Sequence, residues 1–173
     1  DMGALESTPH LLNYFPLTLD QQWTFASDID TFSIALFDTQ IVDGNTYYEF
    51  DEWYPYELLN LFRVSGNQVF VYNESTENVL YDFAAYLGEL WVLPSQSSDP
   101  STITLTGVGV TVETPLGTFE NCYQFHRFIG ADYEYTDWFA EEVGLVQRDV
   151  ITFAGPRRYS LINLGPIVSY DEG

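Results

Sequence analysis

"TITLTGVGVTVETPLGTFENCYQFHRF", residues 102–128, is the stretch whose reading decides the fold. Ile103 and Leu105 are apolar at odd positions, whereas Val108, Val110 and Val112 are apolar at even ones. Each run alternates apolar with polar or small residues, as a half-buried strand does. A regular strand cannot change phase, because its side chains alternate strictly between two faces. Gly107 stands where the phase changes. The pattern therefore predicts a β-bulge or glycine bend there, with Leu105 and Val108 on the same side. Such devices curve a sheet, so the sheet is expected to wrap round a core or a cavity. If the bend uses a positive φ, a β-branched residue fits badly at Gly107.

The next residues close a hairpin. Pro115 presets one turn dihedral and Gly117 permits a left-handed one, so "TPLGT" joins two long strands. Cys122, the only cysteine, falls inside the second strand and has no partner for an internal disulfide. His126 is four residues further on, which along a strand is ~13 Å. A thiol–imidazole hydrogen bond needs roughly 3 Å, so no nucleophile–base pair forms. Cys122 reads instead as a small buried hydrophobe.

Period two with intervening turns continues in both directions. "TFSIALFD" puts Phe32, Ile34 and Leu36 on one face. Asp43-Gly44 is a hairpin signal before an aromatic strand. "LNLFRVSGNQVFVYN" reads as two strands about Ser65-Gly66-Asn67. "IGAD", "EEVG" and "GPRR" read as further turns. The expectation is an all-β chain, a curved antiparallel meander or partly open barrel of about a dozen short strands. Helix is scarce. "LYDFAAYLGELW" offers helical spacing at Leu80, Phe83, Ala84 and Leu87, although short strands around a loop explain it nearly as well. The polar segment "PSQSSDPS" at 94–101 reads as a linker between two halves of one β domain, residues 14–164. Residues 1–13 and 165–173 read as terminal extensions.

Charge sets limits on partners. The chain of 173 residues carries 26 acids, five arginines and no lysine, a formal net charge of −21. Nucleic acid and anionic membranes are repelled by such a surface. A saline habitat, divalent-cation binding and a generic acidic secreted protein each account for it. Residues 1–100 hold 16 acids and one arginine, whereas residues 101–173 hold ten acids and four arginines. That asymmetry is expected either by chance or from a less acidic face that meets an acidic face of another copy. No apolar run approaches the ~20 residues of a membrane helix. No basic-then-apolar secretion signal is present, and if one was removed Asp1 is the mature terminus.

Few residues point to chemistry. No HxH, HExxH, CxxC or glycine-rich phosphate motif occurs. Asp28 and Asp30 would share a strand face ~7 Å apart, within glycosidase range but also usual for a solvent face. Asp132, Glu134 and Asp137 flank "IGAD" and are the candidate ligands for calcium, the one cofactor considered. In "DEWYPYE", Trp53, Tyr54 and Tyr56 are candidates for stacking on sugars or anchoring an interface, the alternative being a core edge.

"YFPLTLDQQWTF", "VDGNTYYEF", "LYDF…GELW", "TPLGTFENCYQF" and "YTDWFAEEVGLVQRD" together resemble a broad group of bacterial secreted proteins and lipoproteins of mostly unassigned function. The resemblance covers roughly residues 14–164 and implies a curved antiparallel sheet with some likeness to the LolA/LppX lipoprotein-carrier fold. Its motifs are turn and core signatures, so it carries over no functional residue. The cysteine that opens a lipoprotein is absent from them, so no lipid anchor is implied. The resulting expectation is a non-catalytic protein, extracellular or at the cell surface, with a structural or assembly role as a filament or surface-layer subunit. Its partners would be other copies of itself, through Leu5, Leu11 and Leu12 of the N-terminal extension and through Arg157 and Arg158. A carrier of an apolar ligand and a carbohydrate-binding or glycoside-processing module are the alternatives.

Overall fold

The computed structural model describes residues 13–54, 57, 59–73, 75–94, 100–130 and 133–168. Leu5, Leu11, Leu12, Tyr56 and Asp132 lie outside them. Twelve strands follow in chain order: β1 (Gln21–Ala26), β2 (Thr31–Val42), β3 (Asn45–Phe50), β4 (Leu61–Ser65), β5 (Gln68–Asn73), β6 (Thr76–Asp82), β7 (Leu90–Leu93), β8 (Ser101–Thr114), β9 (Gly117–Gly130), β10 (Tyr133–Ala140), β11 (Gly144–Thr152) and β12 (Gly155–Pro166). All belong to one antiparallel sheet, and no helix occurs among the described residues. Consecutive strands are neighbours wherever they pair, and β1 also pairs with β12. Two six-stranded meanders thus spread from the β1–β12 pair and curl until their edges, β6 and β7, face each other. At that seam the Trp91 indole N–H donates to the Leu80 carbonyl at 3.2 Å. The result is a nearly closed barrel.

Local sequence dictates most of the turns. Asp43 and Gly44 have φ of 51° and 81°, the paired left-handed residues of a tight hairpin whose twist matches the strands it joins. Gly66, at φ 60°, opens the β4–β5 turn. "GPRR" is not a turn. Thr152 pairs with Gly155, so Phe153-Ala154 makes the connection and the two arginines enter β12. Pro156 is tolerated because it stands at the second residue of the strand. "LYDFAAYLGELW" is the end of β6, a turn and β7, not a helix. The chain's division into two six-strand halves falls at that turn, and residues 95–99 of the expected linker lie outside the described ones.

The β8–β9 ladder is irregular where the phase argument places the break. Leu105 pairs with Phe125 but Gly107 with Gln124, so one residue of β8 is skipped. Val108 then pairs with Tyr123, which puts it on the Leu105 side, although it is 52% exposed where Leu105 is fully buried. Two further shifts follow, between Val108 and Val110 and between Val110 and Val112. The left-handed residues of this bend are Gly109 and Asn121, not Gly107. Gly107 is required for space: a Cβ there would lie 2.8 Å from Val110 Cγ2 and 2.9 Å from Gln124 Cβ.

A twelve-stranded barrel is wide enough to enclose a cavity. Here two segments fill it. Residues 14–15, ahead of β1, put Tyr14 and Phe15 inside, and the β3–β4 connection puts Trp53, Tyr54 and Leu59 inside. Phe15 and Trp53 meet at 5.2 Å between centroids, and Phe15 also touches Phe50, Phe62, Tyr81 and Phe139. Each buried aromatic of this kind contributes about 1.5–3 kcal/mol by leaving water. The gap lined by Phe15, Trp23 and Phe50 is about 10 Å³, room for roughly one water. A larger opening of about 380 Å³ lies on the other side of these filling segments, against Tyr14, Phe15, Val69 and Phe83.

Candidate functional site

Strand alternation carries three charged residues to the inside. Phe125 and Arg127 are buried at alternate positions of β9, Tyr135, Asp137 and Phe139 at alternate positions of β10, and Arg148 on β11. Register then pairs Tyr135 with Arg127 and Asp137 with Arg148 across adjacent strands. The Arg148 Nε donates to Asp137 Oδ1 at 2.6 Å, and its NH1 donates to the Trp53 carbonyl at 2.5 Å. Asp137 Oδ2 accepts from Tyr81 Oη at 2.7 Å and from Tyr54 Oη at 3.0 Å. The Trp53 indole donates to Tyr81 Oη at 3.0 Å. One step outward, Arg127 grips both oxygens of Glu57 at 2.6 and 2.7 Å and donates through Nε to Ser101 Oγ at 3.0 Å. Both guanidinium carbons lie 4.5 Å from the Tyr54 ring centroid, which gives that ring two cation–π contacts.

The electrostatics follow from burial. Loss of water drives the Tyr54 and Tyr81 hydroxyls far above the ordinary phenol range, and the neighbouring Asp137 charge adds to it. Both therefore remain neutral donors. Burial pushes Tyr135 up to about 12. Burial alone would weaken the Arg148 charge, but Asp137 outweighs it and keeps the guanidinium protonated. Every acceptor position of Asp137 that points at this network is occupied by the protein itself. The arrangement holds the Asp137 carboxylate and the Arg148 guanidinium in place.

Arg148 and Tyr135 also form the floor of a groove of about 360 Å³ at one end of the barrel. Its sides are Phe32, Tyr133, Tyr159, Asp30 and Arg157. The turn before β2 fixes Asp30: Ser27 Oγ donates to its Oδ1 at 2.6 Å, and Tyr159 Oη reaches Oδ2 at 3.3 Å. Arg63, Arg127, Arg148 and Arg158 each form an ion pair, and Arg157 forms none among the described residues.

The structure redistributes the sequence candidates. Asp137 faces inward against Arg148, whereas Glu134 faces the other side and meets His126 Nε2 at 3.1 Å. Three positions apart on a regular stretch of β10, the two carboxylates cannot share one ion, so the expected calcium cluster is not assembled from them. Trp53 and Tyr54 are 4% and 1% exposed, so they are core and network residues, not surface contacts. Arg157 lines the groove, while Arg158 points elsewhere, bonded to Asp149 at 2.8 Å and lying over the Trp138 ring. Asp28 and Asp30 stand in the β1–β2 turn and not on a strand. Cys122 is fully buried and donates to the Phe119 carbonyl, so Cys122 and His126 keep separate partners. Burial raises its thiol from 9.0 to about 11.

Arg127, Arg148, Glu57, Tyr81 and Ser101 were not singled out from sequence. A signal existed for one of them, since Arg127 shares the parity of Phe125 and Ile129; Asp137, read as a calcium candidate, likewise shares that of Tyr135 and Phe139. A charge in the apolar phase of a strand is a buried charge seeking a partner.

No family model matches the chain, and no curated protein matches it. Among solved structures, the chain is similar to a candidate lipoprotein of Parabacteroides distasonis, at 13% identity and a TM-score of 0.43 over 88% of this chain and 98% of that one. It is also similar to a candidate exported protein with a YmcC-like fold from Bacteroides fragilis, at 12% identity and a TM-score of 0.45 over 87% and 98%. Likeness at this level carries no inference about function. The expected kinship with LolA/LppX carriers gains no support from them.

Proposed function

We propose that this chain is a non-catalytic, extracytoplasmic β-barrel protein that serves a structural role at the cell surface by associating with other copies of itself. One observation carries the reading. On the outer face of β7–β9, Val92 pairs with Thr102, which pairs with Phe128, and Leu90 lies two residues along β7. Leu90, Val92 and Phe128 are 56%, 52% and 42% exposed. Leu90 and Val92 on β7 and Phe128 on β9 flank Thr102 and Thr104 of β8 on one face beside the seam, and Leu87 of the β6–β7 turn is exposed as well. Exposed large apolar side chains gathered on one sheet face favour an interaction site. The interior supports the non-catalytic part, since its charged groups are spent on one another. Tyr14, Phe15, Trp53 and Tyr54 also occupy the centre of the barrel that a carrier would keep for a lipid.

Sedimentation equilibrium tests this reading. Net charge of −21 opposes contact between copies, so association is expected to grow from low salt to about 1 M salt, where screening shortens to ~3 Å. The double variant Leu90→Glu/Val92→Glu should stay monomeric under the same conditions. A wild type that remains monomeric at every concentration and salt level would end the assembly reading.

A further inference from the structure

We infer that the groove between the β1–β2 turn and the start of β12 binds a neutral carbohydrate, a role separate from self-association. Its volume of about 360 Å³ falls at the lower end of the ~300–1,000 Å³ range of small-molecule sites. Two features of its walls define the ligand class. The first is aromatic surface. Tyr133 is 37% exposed, and Tyr159 packs edge-on against Phe32 at 4.9 Å. The C–H face of a pyranose ring packs on such rings, while tyrosine hydroxyls reach its rim. The second is a donor beside an acceptor. Arg157, with no ion pair among the described residues, lines the same groove as the Asp30 carboxylate and feels its charge. A guanidinium donates to a hydroxyl oxygen and a carboxylate accepts from a hydroxyl proton, so the pair suits a vicinal diol. Asp30 keeps capacity for this, because among the described residues Oδ2 is met only by the long contact from Tyr159 at 3.3 Å.

Charge decides between a neutral sugar and an anion. Arg157 is held first by its hydrogen bond to Tyr159 and then by the nearby Asp30 and Asp28 charges, so the groove carries acids beside this cation. The molecule as a whole carries −21, so an anionic ligand approaches against the field. The floor is prearranged: Tyr135 packs on Tyr54 at 4.7 Å, and Arg148 is held by Asp137. Binding therefore requires no reordering of the deeper side chains, which lowers its entropic cost.

Saturation-transfer NMR and calorimetry on the whole chain test this with laminarihexaose, cellohexaose and mannohexaose as neutral probes and trigalacturonate as the anionic one. At least one neutral oligosaccharide should bind. Arg157→Ala and Tyr133→Ala should each weaken that binding about tenfold or more. Neither side chain is part of the buried network, so the melting temperature should be unchanged. Binding by no neutral probe, binding by trigalacturonate alone, or variants that bind as wild type would each overturn the inference. None of these outcomes depends on the Leu90 and Val92 surface, so failure here leaves the assembly reading intact.

Discussion

Asp137 and Arg148 face each other across β10 and β11 inside the barrel, 2% and 1% exposed. Removing one partner strands the other charge away from water, which typically costs ~3–5 kcal/mol, whereas replacing both with apolar residues is often neutral. Asp137→Leu and Arg148→Met should each destabilise by about that amount, and the double variant should recover most of the loss. Urea unfolding of the four proteins measures it; additive losses would mean that the pair is not coupled. Cys122 gives a second prediction at this scale. Its folded-state thiol sits near 11 against an ordinary 9.0, so above pH 9 the unfolded chain loses a proton that the native chain keeps. Stability should therefore fall as pH rises from 9 to 11, by at most about 1.4 kcal/mol per unit from this group. Cys122→Ala should make the slope between pH 9 and 10 shallower than in wild type, the contribution of the buried tyrosines being common to both proteins, and an equal slope would contradict the assignment. The burial of Cys122 was legible in its strand position. The role of Asp137 was not, because turn proximity drew it into an acidic cluster with Glu134, and only the cross-strand register shows that the two point apart.

At the scale of elements, turns and strand phase were the readable part. Left-handed Asp43 and Gly44, the Gly66 turn and the break beside Gly107 follow from local stereochemistry and from a period that neighbours cannot alter. What fills the barrel was not readable. Nothing in "DEWYPYE" says that Trp53 and Tyr54 turn inward, because insertion depends on the width of a barrel built by strands far away in sequence. The reason for Gly107 also emerged only in three dimensions. Its neighbours, not its φ, exclude a side chain. Gly107→Ala should therefore cost ~1–3 kcal/mol by overpacking, and Val110→Ala in the same chain should restore part of it. Denaturant melts decide the point. A Gly107→Ala protein as stable as wild type, or one that Val110→Ala does not help, would show that the close approach is not limiting.

For the whole molecule, composition spoke clearly and topology gave it a location. The acid-rich residues 1–100 form β1–β7 and residues 101–173, with four arginines, form β8–β12, so the two charge regimes nearly follow the two walls of one barrel. Arg127 and Arg148 are buried, which leaves Arg157 and Arg158 of β12 as the second wall's outward cations. Repulsion among surface acids should ease with screening, so the melting temperature should climb with sodium chloride. A flat profile would show that the charges do not strain the fold. The central claim is that a barrel with a filled interior works from its outside, by meeting other copies. Native mass spectrometry of the protein purified from its own cells, sprayed from concentrated ammonium acetate, tests it most directly. The account predicts oligomers at integer multiples of the chain mass with no lipid retained; a monomer carrying the added mass of a bound lipid would contradict it.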